Sequence, residues 1–336
     1  NSFYSRIPIE SAGGVVATVG TVNTQTGAQY SEGLVVSLDR GTTWSVKPFP
    51  SIVGLTGFVG SMAFDGTTML ATVIIDSSIP NWVTNLAKST DNGTTWSIIT
   101  TPGPATNLSY GKRFVVLPNG AYLLTLQNPF FDCYRSTDKG ATWNLIGNYG
   151  DIFTTADFQG TTAYLQGSTK GVQKTTDGGL TITPVSTGMP INTAFDITMI
   201  NGKDLLVGAT SPYHSSDFGQ NFTAASTQVA SRFLKVSGGV IAYGSKQLQK
   251  SVDEGKTYTP IGDDRYFSFL TTNKTGTEYY AYSSSEISGT TVAYGLFFST
   301  DLISWTPVPL SGLPNPDDFF VNDMVCLLYT SPSPRD

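Results

Sequence analysis

An eight-residue pattern, Ser/Thr-x-Asp-x-Gly-x-Thr-Trp, recurs along this chain and constrains its fold more than any other feature. It reads SLDRGTTW at 37–44, STDNGTTW at 89–96 and STDKGATW at 136–143. Degenerate copies follow as TTDGGLTI (175–182), SSDFGQNF (215–222), SVDEGKTY (251–258) and STDLISW (299–305), the last one residue short and lacking the glycine. The central aspartates Asp39, Asp91, Asp138, Asp177, Asp217, Asp253 and Asp301 are separated by 52, 47, 39, 40, 36 and 48 residues. A period of that size marks one supersecondary unit that cannot bury its apolar face alone and must stack on its neighbours.

Each octet reads as a tight turn inside a hairpin. The hydroxyl and the carboxylate accept turn N–H groups, glycine supplies a φ > 0 position, and the closing aromatic opens the next strand and packs between sheets, burying roughly 150–250 Å². Trp44, Trp96 and Trp143 are therefore core plugs, and the octet aspartates are structural. Between octets run short apolar strands, such as GSMAFDG and TTMLATVII before the second octet and RFVVLPNG and AYLLTLQ before the third. Four strands per period define an all-β chain, a seven-bladed β-propeller of four-stranded antiparallel blades forming a single domain over residues 1–325. The segment 317–325 (DDFFVNDMV) reads as the first strand of a further unit, beginning an eighth blade or leading into a following domain. An unpaired strand at such a seam would be an edge for self-assembly. The last eleven residues, 326–336 (CLLYTSPSPRD), resemble a translated sequencing adapter and are set apart as a non-native tail.

Composition fits this reading and removes several function classes. Only 13% of residues are charged, with five glutamates, while aromatics reach 12%, which suits short strands and tight turns rather than amphipathic helices. A net charge of -6 without a Lys/Arg run argues against nucleic acid as a partner. No apolar stretch has the length of a helical membrane span. One histidine, His214, and two cysteines, Cys133 and Cys326, give no metal site and no disulfide framework, and no cofactor is implied. Cys133 reads as a buried, inert thiol.

The octets resemble the Asp-box, or BNR, repeat, and the chain is similar to Asp-box propellers over 1–325. Propellers of that family include sialidases, xyloglucan-cleaving hydrolases, sortilin-type receptors, photosystem assembly factors and secreted or phage-borne surface proteins. The resemblance implies the fold and a location outside the cytoplasm. The sialidase motif F/Y-R-I-P is echoed by Tyr4-Ser5-Arg6-Ile7-Pro8, with Ser5 inserted, which implies Arg6 as a carboxylate ligand. Sialidases also use an aspartate after the second strand of the first blade, where this chain reads Thr21-Val22-Asn23-Thr24-Gln25 after GGVVATVG. Tyr280 and Tyr282, ahead of Glu286, offer a weak nucleophile pattern, and Asp65, Asp76, Asp157 and Asp196 offer no singled-out carboxylate pair.

Arg6, Arg113, Arg232 and Arg265 each fall at the start of a blade's first strand, where four guanidinium groups would converge on an anion or pair with carboxylates such as Asp151, Asp157, Asp263 and Asp264. Loops at 22–33, 76–85 and 283–291 are long and would raise a rim carrying Tyr30, Trp82, Phe130 and Phe131, aromatics outside the repeat core. The expectation is a non-catalytic recognition or surface-assembly module outside the cell, binding a glycan or an extracellular protein through Arg6, Arg113, Arg232, Arg265, Trp82 and Tyr30. The alternative is a sialidase-like or other glycoside hydrolase with its site at the central channel.

Overall fold

The computed structural model describes residues 15–19, 33–37, 42–43, 45–48, 56–64, 68–76, 83–91, 95–102, 112–126, 131–167, 169–190, 196–209, 212–225, 230–244, 246–272, 276–285, 293–309 and 321–326. Its strands are β1 (Val15–Val19), β2 (Gly33–Ser37), β3 (Ser45–Pro48), β4 (Thr56–Phe64), β5 (Met69–Asp76), β6 (Val83–Ser89), β7 (Ser97–Ile99), β8 (Lys112–Val116), β9 (Tyr122–Leu126), β10 (Asp132–Ser136), β11 (Asn144–Asn148), β12 (Phe153–Gln159), β13 (Thr162–Gly167) and β14 (Gly171–Thr175). They continue with β15 (Thr183–Pro184), β16 (Asp196–Met199), β17 (Leu205–Gly208), β18 (Tyr213–Ser215), β19 (Thr223–Ala224), β20 (Arg232–Val236), β21 (Gly239–Tyr243), β22 (Lys246–Ser251), β23 (Thr259–Thr272), β24 (Tyr279–Ser285), β25 (Ala293–Ser299), β26 (Thr306–Pro307) and β27 (Val321–Cys326).

These strands form antiparallel meanders of four: β4 to β7, β8 to β11, β12 to β15 and β16 to β19. The stretch β20 to β26 forms one seven-stranded sheet, because β23 serves two ladders, pairing with β22 up to Tyr266 and with β24 from Phe267. The first strands of successive meanders lie side by side, β4 with β8, β8 with β12, β12 with β16, β16 with β20, β20 with β23, and β23 with β27.

The remaining sheet has the order β27-β1-β2-β3. Here the structure corrects the expectation for the chain's end. β27 pairs antiparallel with β1, Val16 opposite Val325 and Val15 opposite Cys326. It takes the first-strand place that the segment starting at Arg6 was expected to fill, and the seam edge expected to be open is paired. The physical reason is that β1 would otherwise present a row of unsatisfied backbone groups. Cys326 belongs to this ladder, so the boundary at 325 falls inside a strand. The expected loop at 76–85 is shorter too, since β5 and β6 continue their register to Ile75 opposite Val83.

The third, fourth, fifth and sixth octets make the same turn. In the third, Ser136 Oγ donates to Asp138 Oδ1 (2.8 Å) and accepts the Gly140 N–H (2.9 Å). Asp138 Oδ1 accepts the Thr142 N–H (2.8 Å), and the Thr142 hydroxyl donates to Oδ2. The fifth octet substitutes Asn221 at the threonine position, and its side-chain amide donates to Asp217 Oδ2 at 2.7 Å. Two consecutive residues have positive φ, Lys139 at 57° and Gly140 at 80°, and the Ala141 N–H reaches Asp138 O at 3.3 Å, a type I′ turn matched to strand twist. In the short seventh octet, Leu302 assumes the glycine's role at φ 66° and donates its N–H to Ser299 Oγ.

The turn glycines also touch the neighbouring sheet. A Cβ on Gly140 would stand 2.8 Å from Leu70 Cδ1, and one on Gly255 2.5 Å from Leu206 Cδ2. The core is thereby divided into clusters that each include an octet plug and span two successive sheets, or the two ladders of the seven-stranded sheet. Leu70 and Leu86 pack with Phe114, Tyr122 and Trp143; Tyr164 and Val172 pack with Ile197, Leu205 and Phe222; Ile241 and Leu248 pack with Phe267, Phe297 and Trp305. The Trp143 and Phe114 rings lie 6.1 Å apart and those of Trp305 and Phe267 5.3 Å apart, and Trp143 Nε1 donates to Gly140 O (3.1 Å). Trp44 and Asp39 lie outside the described residues.

The two glycine constraints separate by mutation. Gly255→Ala combines a left-handed conformation with a clash on Leu206 and is expected to cost about 2–4 kcal/mol in urea unfolding. Lys139→Gly removes backbone strain at an exposed site and is expected to raise stability by about 0.5–1 kcal/mol.

Candidate functional site

Arg113 and Arg232 lie at strand starts, as the repeat spacing implies, whereas Arg265 lies inside β23. Arg6 lies outside the described residues. Arg113 is the second residue of β8, opposite Thr125. Arg232 opens β20; its Nη1 donates to Ser268 O (2.8 Å) and its guanidinium lies 4.6 Å from the Phe269 ring centroid. Arg265 sits in β23 between the two ladders. Its Nε donates to Asp263 Oδ2 (2.7 Å) and its guanidinium lies 4.6 Å from the Phe297 ring centroid, while Nη1 is buried without a hydrogen-bond partner. Arg232 and Arg265 are each held against a phenylalanine. Of the expected carboxylate pairings, Asp263 with Arg265 forms.

The other carboxylates hold backbone. Asp151, fully buried, accepts the N–H groups of Ile152 (2.8 Å), Thr169 (2.8 Å) and Lys170 (2.7 Å), which pins the β13–β14 connection. Asp157 Oδ2 accepts the Met199 N–H on the next sheet (2.8 Å) and pairs with Lys235 Nζ one sheet further (3.2 Å). Asp196 Oδ2 accepts the Phe233 N–H (3.0 Å), again between sheets. Asp157 and Asp196 act as inter-sheet ties, since a buried backbone amide left unpaired would carry its full desolvation penalty. His214 is buried 3.8 Å from Asp204; burial lowers its pKa, against the pull of the Asp204 charge.

The octet carboxylates are equally committed. Hydrogen bonds from the Thr142 hydroxyl and N–H lower the Asp138 pKa to about 2, and the Asn221 amide groups do the same for Asp217. Thr181 holds Asp177 well below the ordinary carboxylate range. These groups stay ionised at neutral pH with their oxygens occupied by the turn, which suits neither a general acid nor a nucleophile.

Among the aromatics, Tyr30, Trp82 and Phe130 lie outside the described residues. Phe131 is partly buried, with φ 55°. Tyr280 and Tyr282 are core residues, Tyr280 with its ring 5.2 Å from Phe298, which removes the accessible nucleophile the weak pattern offered; Glu286, like Asp65, lies outside the described residues. Cys133 is buried and its thiol pKa is pushed up by desolvation, as expected of an inert cysteine. The sequence reading missed Tyr266, which is exposed within β23, and the Asp157–Lys235 tie. Tyr266 follows Gly262-Asp263-Asp264-Arg265 in a connection between ladders, so loop length gave no signal for it. Among the described residues no helix is long and apolar enough to cross a membrane, and no group of three or more His, Cys, Asp or Glu is placed to hold a metal ion.

No protein-family model and no curated relative matches the chain. Solved structures do. A GH74 xyloglucanase from Xanthomonas campestris aligns with TM-score 0.63 at 13% identity, covering 97% of this chain and 54% of the enzyme, so the chain spans about half of that protein's length. YCF48 bound to D1 peptide aligns with TM-score 0.53 at 14% identity over 83% of this chain and 94% of its own, and YCF48 from Cyanidioschyzon merolae with TM-score 0.52 at 14% identity over 83% and 95%. At these identities the likeness defines the fold: the chain is an all-β protein of the β-propeller class.

The octet carboxylates set an acid limit. The folded pKa of Asp138, about 2, lies below its ordinary 3.8, so its contribution to stability is complete above about pH 4 and is lost as pH falls toward 2. Chemical denaturation followed from pH 7 to pH 2 is expected to show stability falling below pH 4, with a shallower fall in Asp138→Asn and lower stability at pH 7 by about 1–2 kcal/mol.

Proposed function

We propose that this protein is a non-catalytic recognition or surface-assembly module acting outside the cell, a seven-bladed ring closed by β27 beside β1, with a glycan as the favoured ligand and an extracellular protein as the other. The single observation that carries this reading is the commitment, among the described residues, of carboxylates in or beside the first strands: Asp151, Asp157 and Asp196 each accept backbone N–H groups. Glycoside hydrolysis requires two carboxyl groups with free oxygens facing one bond. Here Asp157 and Asp196 each use an oxygen to join sheets, and Asp151 uses both to pin the β13–β14 connection. The partly exposed Arg232 and Arg265, with Arg6, Arg113, Trp82 and Tyr30, are the proposed contacts. Fold likeness to a GH74 xyloglucanase keeps a glycoside hydrolase as the second reading.

Incubating the protein with fluorogenic sialosides and a panel of aryl glycosides, alongside a glycan-binding screen, separates the two. Binding without turnover is the expected result. Turnover abolished by Asp157→Asn with the melting temperature retained would replace the recognition role with hydrolysis.

A further inference from the structure

The crossover at residues 262–266, where β23 leaves one ladder for the next, carries an exposed face. Tyr266 is 40% exposed, whereas its neighbour Phe267 is buried. Side chains alternate along a strand, so Asp264 shares the face of Tyr266, and Asp263 and Arg265 share the other. The ion pair between Asp263 and Arg265 agrees with that division. Lys246 stands directly opposite Tyr266 in the β22–β23 register and is exposed, as is Asp264. Cross-strand partners lie on one face. One aromatic ring, one carboxylate and one ammonium group therefore occupy a single outward patch.

The reverse face keeps this patch rigid. Arg265 is clamped between Asp263 at 2.7 Å and the Phe297 ring at 4.6 Å, and Gln247 Nε2 donates to Gly262 O at 3.1 Å. Because Asp263 already balances the Arg265 charge, this arginine presents no net positive field to an anion. Asp264 and Lys246 are of opposite sign, so together they add no net charge to the patch. A platform whose charges balance, offering one aromatic face, acceptors and donors, matches a hydroxyl-rich, uncharged ring with apolar C–H faces.

We infer that Tyr266, Asp264 and Lys246 form a subsite for a neutral saccharide, the tyrosine ring stacking on the sugar and the two charged groups hydrogen-bonding its hydroxyls. The inference rests on the recognition reading above and assigns it a place and a ligand class.

Calorimetric titration of the full chain with cellohexaose and mannohexaose, and with sialyllactose and hexagalacturonate as anionic counterparts, tests it. A neutral hexasaccharide is expected to bind in preference to the anionic ones. Tyr266→Ala is expected to weaken that binding at least about tenfold with an unchanged melting temperature, and Tyr266→Phe to preserve it. Neutral-saccharide binding that Tyr266→Ala leaves intact would overturn the subsite while leaving glycan recognition standing. Preference for the anionic sugars, lost in Arg232→Ala, would overturn the neutral class. Binding of none of the four would overturn both the subsite and the glycan reading.

Discussion

The fold depends on one repeated contact, an aspartate carboxylate that gathers a hydroxyl from two residues before it and an N–H and a second donor from four residues after it. With Asp138 the donors are Ser136 and Thr142, with Asp253 they are Ser251 and Thr257. A charged acceptor makes these bonds stronger than neutral ones. The turn they close forces two consecutive positive φ values. That geometry sends the closing aromatic back into the gap between two sheets, where Trp143 and Phe222 each join a cluster drawn from both. The local turn and the joint between sheets are therefore one device.

Polar ties reinforce this apolar joint on the inner strands. Asp157 links three successive sheets through the Met199 amide and the Lys235 ammonium group, and Asp196 links two through the Phe233 amide. A carboxylate recruited in this way leaves the pool available for chemistry. What the inner strands present instead are guanidinium groups stacked on phenylalanine, Arg232 on Phe269 and Arg265 on Phe297, which are orientated and partly exposed. Such groups suit recognition, since their geometry is set before any ligand arrives.

Much of this was legible in the residues. The octet spacing implied sheets of four strands, and the plugs, the inert Cys133 and the placement of Arg232 at a strand start followed from the same register, whereas Arg265 lies inside the long β23. The fate of β27 was not legible. DDFFVNDMV is an apolar strand by composition, but which edge it joins depends on where β1 lies, some 300 residues earlier in the chain. Tyr280 and Tyr282 looked like candidates because a tyrosine near a glutamate is a chemical pattern, whereas burial is a property of the packed sheets.

The sequence by itself determined the turns and the sheets, because hydrogen bonds within eight residues and alternation along a strand are local and need no partner. Only the tertiary structure decided which charges remain available: Asp157 and Asp196 tie sheets, Asp263 balances Arg265, and Tyr266 faces outward at a crossover. Asp157 and Asp196 meet Met199, Lys235 and Phe233, 37 to 78 residues away, through the stacking of neighbouring sheets, and no local pattern records which of them will meet.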